Sequence, residues 1–379
     1  MQRQLPDWVG GSGNIPGLDG LRAISILIVM ASHAISESFP GGLGVYVFFV
    51  ISGFLIAHLM FAEAEKTGRI LLRMFYLRRA LRLYPALLAF VAVTTIWCLV
   101  ISFPITKTDI ASALLYFANY HRSRPFGIVW SLSVEEHFYF LFPAAVVLLR
   151  AKPKAVLALA TAVCVGCLAL RAVVAQAHPE WLGGYYFYAH TQYRLDSIAY
   201  GVLIAAALRT GMGRNLLMRV AHPMFTIVAL LVVAVCLGVR DPFFRETARY
   251  SLLGLSIAVI VAGVLFRPTK PASLVLNASP LVWIGQLSYS LYLWHSFVRF
   301  VVEKGLPDLQ LAIFAPLVIT VSFAIAALSY YGLERPVQKL RKALNPAVRA
   351  PREPQPDKPI ETRPENVVDL RVSTRAASV

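Results

Sequence analysis

Apolar runs of roughly twenty residues recur ten times along this 379-residue chain, and that recurrence leaves it few folds. A run of that length, wound as an α-helix at about 1.5 Å per residue, crosses the ~30 Å hydrocarbon core of a bilayer. In lipid every backbone N–H and C=O must be satisfied within the protein, which permits helices and closed barrels only. These runs are continuous rather than alternating, so helices are expected. They lie near residues 20–37, 43–62, 84–103, 127–149, 155–175, 192–209, 222–239, 247–266, 279–301 and 311–332. The expected fold class is all-α: a polytopic integral membrane protein with about ten transmembrane helices.

Composition agrees, at 58% hydrophobic and 15% charged residues, where a soluble domain carries about a quarter charged. Orientation follows from lysine and arginine, which favour the cytoplasmic side. With the N-terminus inside, the inside segments collect most of them, including six between Lys66 and Arg82, and both termini are cytoplasmic. The formal charge of +16 is thus mainly a topology signal that brings basic residues against anionic lipid, and nucleic-acid binding is not expected. No cleavable signal peptide is apparent, and no internal repeat of the kind used by inverted-repeat transporters. The reading divides the chain into a cytoplasmic segment 1–16, a transmembrane domain 17–335 and a cytoplasmic tail 336–379. From about Asn345 the tail is rich in Pro, Arg and Glu, and disorder is expected. Cys164 and Cys167 form a C-x2-C inside an apolar span with no second ligand pair, so packing is expected and no metal site.

Ionisable side chains inside a membrane helix are costly and usually line a polar cavity. Arg22 and His33 lie eleven residues apart on the first span, three turns plus about 20°, so they share a face at about 16 Å separation. Glu135 and Glu136 on the fourth span, Asp196 on the sixth, and Trp294 and His295 on the ninth fall at similar depth to His33, in the outer half. That points to one shared polar chamber. For Asp196 the competing reading is a pair with Arg194 or Arg171. For Trp294 and His295 it is an interfacial aromatic belt. On the opposite side, Arg78, Arg79 and Arg82 share or flank one helix face, leading through Leu83-Tyr84-Pro85 into the third span. Arginines hold phosphates in bidentate fashion; the alternative is an amphipathic helix on anionic lipid.

Several of these stretches occur together and in order: Gly17-Leu18-Asp19-Gly20-Leu21-Arg22-Ala23, the Arg-x10-His spacing, Val47-Phe48-Phe49-Val50-Ile51-Ser52-Gly53-Phe54-Leu55-Ile56, Arg78-Arg79-Ala80-Leu81-Arg82-Leu83-Tyr84-Pro85, Trp130-Ser131-Leu132-Ser133-Val134-Glu135-Glu136 and Leu291-Tyr292-Leu293-Trp294-His295. In this combination, over about residues 15–335, the chain resembles the membrane-bound acyltransferase-3 family. The resemblance implies ten core helices and transfer of an acyl group, commonly acetyl, from acetyl-CoA or another acyl-CoA to a hydroxyl of an extracytoplasmic glycan. It implies a bacterial inner-membrane location and, since longer members carry an SGNH-type domain after the core, the stand-alone type. Carried over by position, it implies catalysis by His33 with Glu135 or Glu136 steering the imidazole. It implies acyl-CoA binding by Arg22, Arg78, Arg79, Arg82 and Tyr84, and acceptor contacts from Ser32, Ser52, Trp130, Asp196, Trp294 and His295. Direct transfer with His33 as general base and an acyl-histidine intermediate both stay open. A transporter or flippase for a polar solute is the competing class; it accounts for the intramembrane charges but not for the arginine cluster beside Arg-x10-His.

Overall fold

The computed structural model describes residues 7–10, 15–36 and 38–343. Most of segment 1–16 and the tail beyond residue 343, with its expected disorder, lie outside the described residues. Among the described residues there are helices and turns but no strand. Helices of 13 to 29 residues occupy the apolar runs: α1 (Leu18–Ala34), α2 (Gly41–Thr67), α3 (Leu72–Val100), α4 (Trp130–Leu148), α5 (Pro153–Ala177), α6 (Leu195–Ala207), α7 (Pro223–Gly238), α8 (Ala248–Phe266), α9 (Ser279–Gly305) and α10 (Leu311–Ser329). By length and apolarity five of the described helices can cross a membrane alone, α2, α3, α5, α8 and α10 with its continuation. A sixth results if α6 and helix Gly211–Val220, bent by 116°, count as one span. The chain is an all-α membrane protein. Helices α1, α4, α7 and α9 do not meet that length and apolarity, and three of them, α1, α4 and α9, carry Arg22, His33, Glu135, Glu136 and His295.

Helix α3 begins earlier than the apolar run suggests, at Leu72. The arginine cluster is therefore continuous with the span. Beyond α10 the backbone widens into a π turn at Tyr330–Glu334 before helix Arg335–Ala343. The turn leaves Glu334 buried, its carboxylate accepting from Ser290 of α9. Such insertions re-aim side chains and recur at functional sites.

Glycines explain how the inner helices pack. A Cβ on Gly20 of α1 would stand 2.2 Å from the Leu276 carbonyl oxygen, and one on Gly285 of α9 would stand 2.0 Å from that of Asp19. A Cβ on Gly53 of α2 would lie 2.0 Å from the Ile198 oxygen of α6, and one on Gly201 equally near the Val50 oxygen. Lipid supplies no hydrophobic drive for helix association, so close backbone contact through small residues does much of the work. Gly17 has a further reason: at φ +81° it starts α1 in the left-handed region, and its N–H donates to the Asn277 side chain at 2.9 Å. The resulting core of α1, α2, α6, α8 and α9 is wrapped by α3, α5, α7 and α10, whose apolar outer faces are largely exposed for lipid.

Overpacking a tight helix crossing costs about 1–3 kcal/mol or more. Gly53→Val should therefore lower the midpoint of thermal unfolding in detergent by several degrees, while Gly166→Ala, whose Cβ meets nothing within 4 Å, should leave it unchanged. Fluorescence-detected melting of both variants checks this.

Candidate active site

Two cavities among the described residues bear on the site. The larger, of about 540 Å³, is walled by α2, α3, α4 and α9 with Arg22 of α1. It brings Arg22, Lys66, Arg78, Arg79 and Arg82 to one apolar-sided chamber with Ser52 and Glu135. Its cations are positioned by carboxylates: Arg78 Nη2 donates to Glu63 Oε2 at 2.9 Å, Arg79 Nε to Glu136 Oε1 at 3.2 Å, and Arg22 stands 3.7 Å from Asp19. Arg79 also lies 3.5 Å over the Tyr139 ring, where a cation is attracted by the ring quadrupole and a planar guanidinium can stack. Glu135 is buried and accepts from Ser52 Oγ at 2.9 Å.

The smaller cavity, of about 280 Å³, contains His33, Ser32, Trp130, Tyr188, Ser296 and Arg299, with Gly41, Gly42 and Gly127 in its wall. Val45 and Tyr292 line both cavities. Tyr292 is the partition between them, anchored through its hydroxyl to Ser131 and to the Ile128 carbonyl at 3.2 Å. The phase argument for α1 is realised: Arg22 reaches the larger cavity and His33 the smaller, from the same helix.

The histidine geometry assigns a tautomer. His295 Nδ1 lies 2.7 Å from the Leu291 carbonyl, which can only accept, so that nitrogen carries the hydrogen. With the ring neutral, His295 Nε2 is then an acceptor. It lies 2.9 Å from His33 Nδ1, which must be the donor. The lone pair of His33 is left on Nε2. The rings are nearly parallel at 8° with centroids 5.1 Å apart.

The expected residues divide as follows. His33 and Ser32 meet in the smaller cavity with Trp130; Arg22, Arg78, Arg79, Arg82, Ser52 and Glu135 meet in the larger. The steering group on His33 is a second imidazole rather than a carboxylate: Glu135 and Glu136 are engaged by Ser52 and Arg79. His295, expected at the acceptor, bonds the His33 ring and does not line the smaller cavity. Asp196 is not in the chamber. It is fully buried against Arg171 at 2.7 Å and Ser251 at 3.3 Å, because a lone carboxylate in that core needs a cation more than a cavity. Trp294 packs edge-on between Phe90 and Phe297, and Tyr84 turns to the Leu114 carbonyl at 3.4 Å; neither lines either of these two cavities. Cys164 and Cys167 face the backbone carbonyls of Asp196 and Gln192.

Residues absent from the sequence expectation are Tyr292, Arg299, Tyr188 and Glu63. Arg299 stands one helical turn past His295, a spacing that could have flagged it. Tyr188 sits in the short helix Tyr185–Ala189 and carried no signal. Outside the spans, burial pushes the Asp109 carboxyl up, but hydrogen bonds from Thr106 and His121 outweigh it and hold it at about 2. The cap it makes on helix Lys107–Leu114 contributes above the ordinary aspartate pKa and is lost only as pH falls through about 2.

Residues 15–331 match the acyltransferase domain family. Over 350 residues the chain is 28% identical to the O-acetyltransferase OatA of Staphylococcus aureus strain NCTC 8325, an alignment covering 86% of this chain and 57% of that protein. Over 357 residues it is 32% identical to a protein named as a candidate O-acetyltransferase from S. aureus strain COL, covering 87% and 58%. The chain thus spans under three fifths of the length of these curated relatives. No solved structure matches.

Two outcomes follow from this geometry. Nitrogen-15 spectra of histidine-labelled protein should show His33 protonated on Nδ1 with a free Nε2, a signature lost in His295→Leu and retained in His295→Gln, whose side-chain oxygen can still accept. Asp196→Ala leaves Arg171 unpaired in the core and should cost about 3–5 kcal/mol, read as a loss of folded protein on size-exclusion chromatography.

Proposed function

Since the chain belongs to the acyltransferase-3 family, we propose that it is a transmembrane O-acetyltransferase that moves acetyl from cytoplasmic acetyl-CoA to a hydroxyl of an extracytoplasmic glycan. The observation that carries this reading is the pair of cavities meeting at Tyr292 and Val45, one rich in arginine and the other holding a histidine with a free lone pair. In this proposal both termini face the cytoplasm of a bacterial inner membrane, as the lysine and arginine distribution favours. The arginine-rich cavity then opens to the donor side.

The CoA phosphates are held by Arg78, Arg82 and Arg22, with Arg79 fixed by Glu136 and Tyr139 beside them. Guanidinium groups suit that task through paired N–H donors. The pantetheine arm lies along the apolar wall of Phe48, Leu55 and Met60, past the Ser52–Glu135 pair, and brings the thioester to Tyr292. On the other side the acceptor hydroxyl meets His33 Nε2. That nitrogen takes the hydroxyl proton as the oxygen attacks the thioester carbonyl; the tetrahedral adduct collapses, the C–S bond breaks, and the imidazolium returns its proton to the CoA sulfur. The acyl-histidine route uses the same lone pair. His295 serves either path by keeping the Nδ1 hydrogen directed away from the reacting atoms.

The test is transfer from acyl-labelled acetyl-CoA in inverted membrane vesicles, with free CoA read by thiol labelling. Native protein should label a lumenal glycan fraction and release CoA, and His33→Ala at matched expression should lose about 10²–10⁴ of that rate. Transfer unaffected by the substitution would sink the mechanism, and glycan movement without CoA release would favour a carrier. Arg82→Ala removes a charge-assisted contact worth about 1.5–3 kcal/mol. It should raise the acetyl-CoA KM about ten- to hundredfold with kcat much less affected.

A further inference from the structure

The smaller cavity has a chemical bias that the transfer reaction itself does not require. Among the described residues its basic lining groups are His33 and Arg299, and no described Asp, Glu, Asn or Gln lines it. Neutral sugars are oriented mostly by hydroxyls donating to carboxylate and amide oxygens, and the described lining offers none of these from side chains. In their place stand an arginine and two aromatic rings. Trp130 and Tyr188 have centroids 4.5 Å apart at 42°, with Trp130 buried and Tyr188 at the rim. Behind them lies Arg194, fully buried, its guanidinium 5.7 Å from the Trp130 ring and 5.9 Å from that of Tyr188. The neighbouring carboxylate Asp196 is bound to Arg171 rather than to Arg194, so the wall adds positive potential.

Arg299 meets Glu303 through Nε. A guanidinium offers two donor edges in a fixed fork, and the edge formed by its two terminal nitrogens is not used by that ion pair. Gly42 and Gly127 sit in the cavity wall where an added Cβ would meet nothing within 4 Å; that space is the cavity. At about 280 Å³ it is at the small end of ligand pockets, a size for one sugar residue.

We propose that the smaller cavity seats an acidic sugar residue of the acceptor, its carboxylate bidentate on Arg299 and its ring against Trp130 and Tyr188. The assignment rests on the reading of this cavity as the acceptor side of an acyltransferase, and it narrows the acceptor to uronic-acid-like or otherwise carboxylated glycans. Arg299 is a specificity residue in this account, while His33 does the chemistry.

The experiment is equilibrium binding to the purified full-length protein in nanodiscs without donor, read by tryptophan fluorescence, with Trp130→Phe identifying the reporting ring. Methyl β-D-glucuronoside and methyl β-D-glucoside are the probes. The acidic probe should bind at least tenfold more tightly than the neutral one. Arg299→Gln should abolish that preference while leaving the weak glucoside binding unchanged, and Gly127→Leu, which fills the cavity and keeps Arg299, should abolish binding of both. Equal binding of the two probes by native protein, no saturable signal from the glucuronoside, or a preference that survives Arg299→Gln would each overturn the proposal. So would a role for Arg299 in stabilising the tetrahedral oxyanion, seen as Arg299→Gln slowing acceptor-independent acetyl-CoA hydrolysis with the probe preference intact. Because binding is measured without turnover, its failure is separate from failure of the acyl-transfer reading, which the vesicle assay with His33→Ala decides alone.

Discussion

Close backbone contact between α1 and α9 is the constraint on which the rest depends. Gly285 allows it, since a side chain there would collide with the Asp19 carbonyl of α1, and Gly20 lets α1 seat equally closely on Leu276, just ahead of α9. In a bilayer such contact replaces the hydrophobic drive that water would supply. The crossing sets His33 opposite His295 at 2.9 Å, and that hydrogen bond in turn decides which imidazole nitrogen keeps its lone pair. The α2–α6 crossing at Gly53 and Gly201 does the same for the other wall. It brings α2, with Ser52 and Phe49, against the helix that carries Asp196.

Charge inside the bundle is handled in two ways. Where it is structural it is closed off: Arg171 with Asp196 and Ser251, and Glu246 with Tyr250. Arg194 is a variant of this, held between the rings of Tyr46 and Tyr250 at 4.4 and 4.5 Å, where a cation gains from ring quadrupoles what it lacks in hydrogen bonds. Where charge lines a cavity it is only partly neutralised. Arg78 and Arg79 each meet one carboxylate and retain donors toward the chamber. The division separates a buried scaffold from surfaces on which a ligand can act.

The fold class was legible because its cause is one-dimensional. A continuous apolar run of twenty residues in lipid has one way to satisfy its backbone, and all ten runs are helices. The arginine cluster and the Arg22–His33 phase were legible for a related reason: helical periodicity turns spacing into facing within a single element. Depth along a helix proved a weaker guide. Asp196, Trp294 and His33 fall at similar depth along their runs, yet Asp196 pairs sideways with Arg171 and Trp294 packs between phenylalanines.

The sequence by itself determined the all-α membrane class, the helical state of the apolar runs, the common face of Arg22 and His33, and the motif set that marks the acyltransferase-3 family. These rest on hydropathy, on period and on local order along the chain. Only the tertiary structure decided that His33 is paired with His295 rather than with a glutamate, that Tyr292 divides two cavities, and that Arg299 and Tyr188 share the smaller one. Each of these depends on the rotation of one helix about its axis relative to another. That rotation is set by backbone contact between glycines and partners more than a hundred residues away, a relation that no local pattern encodes.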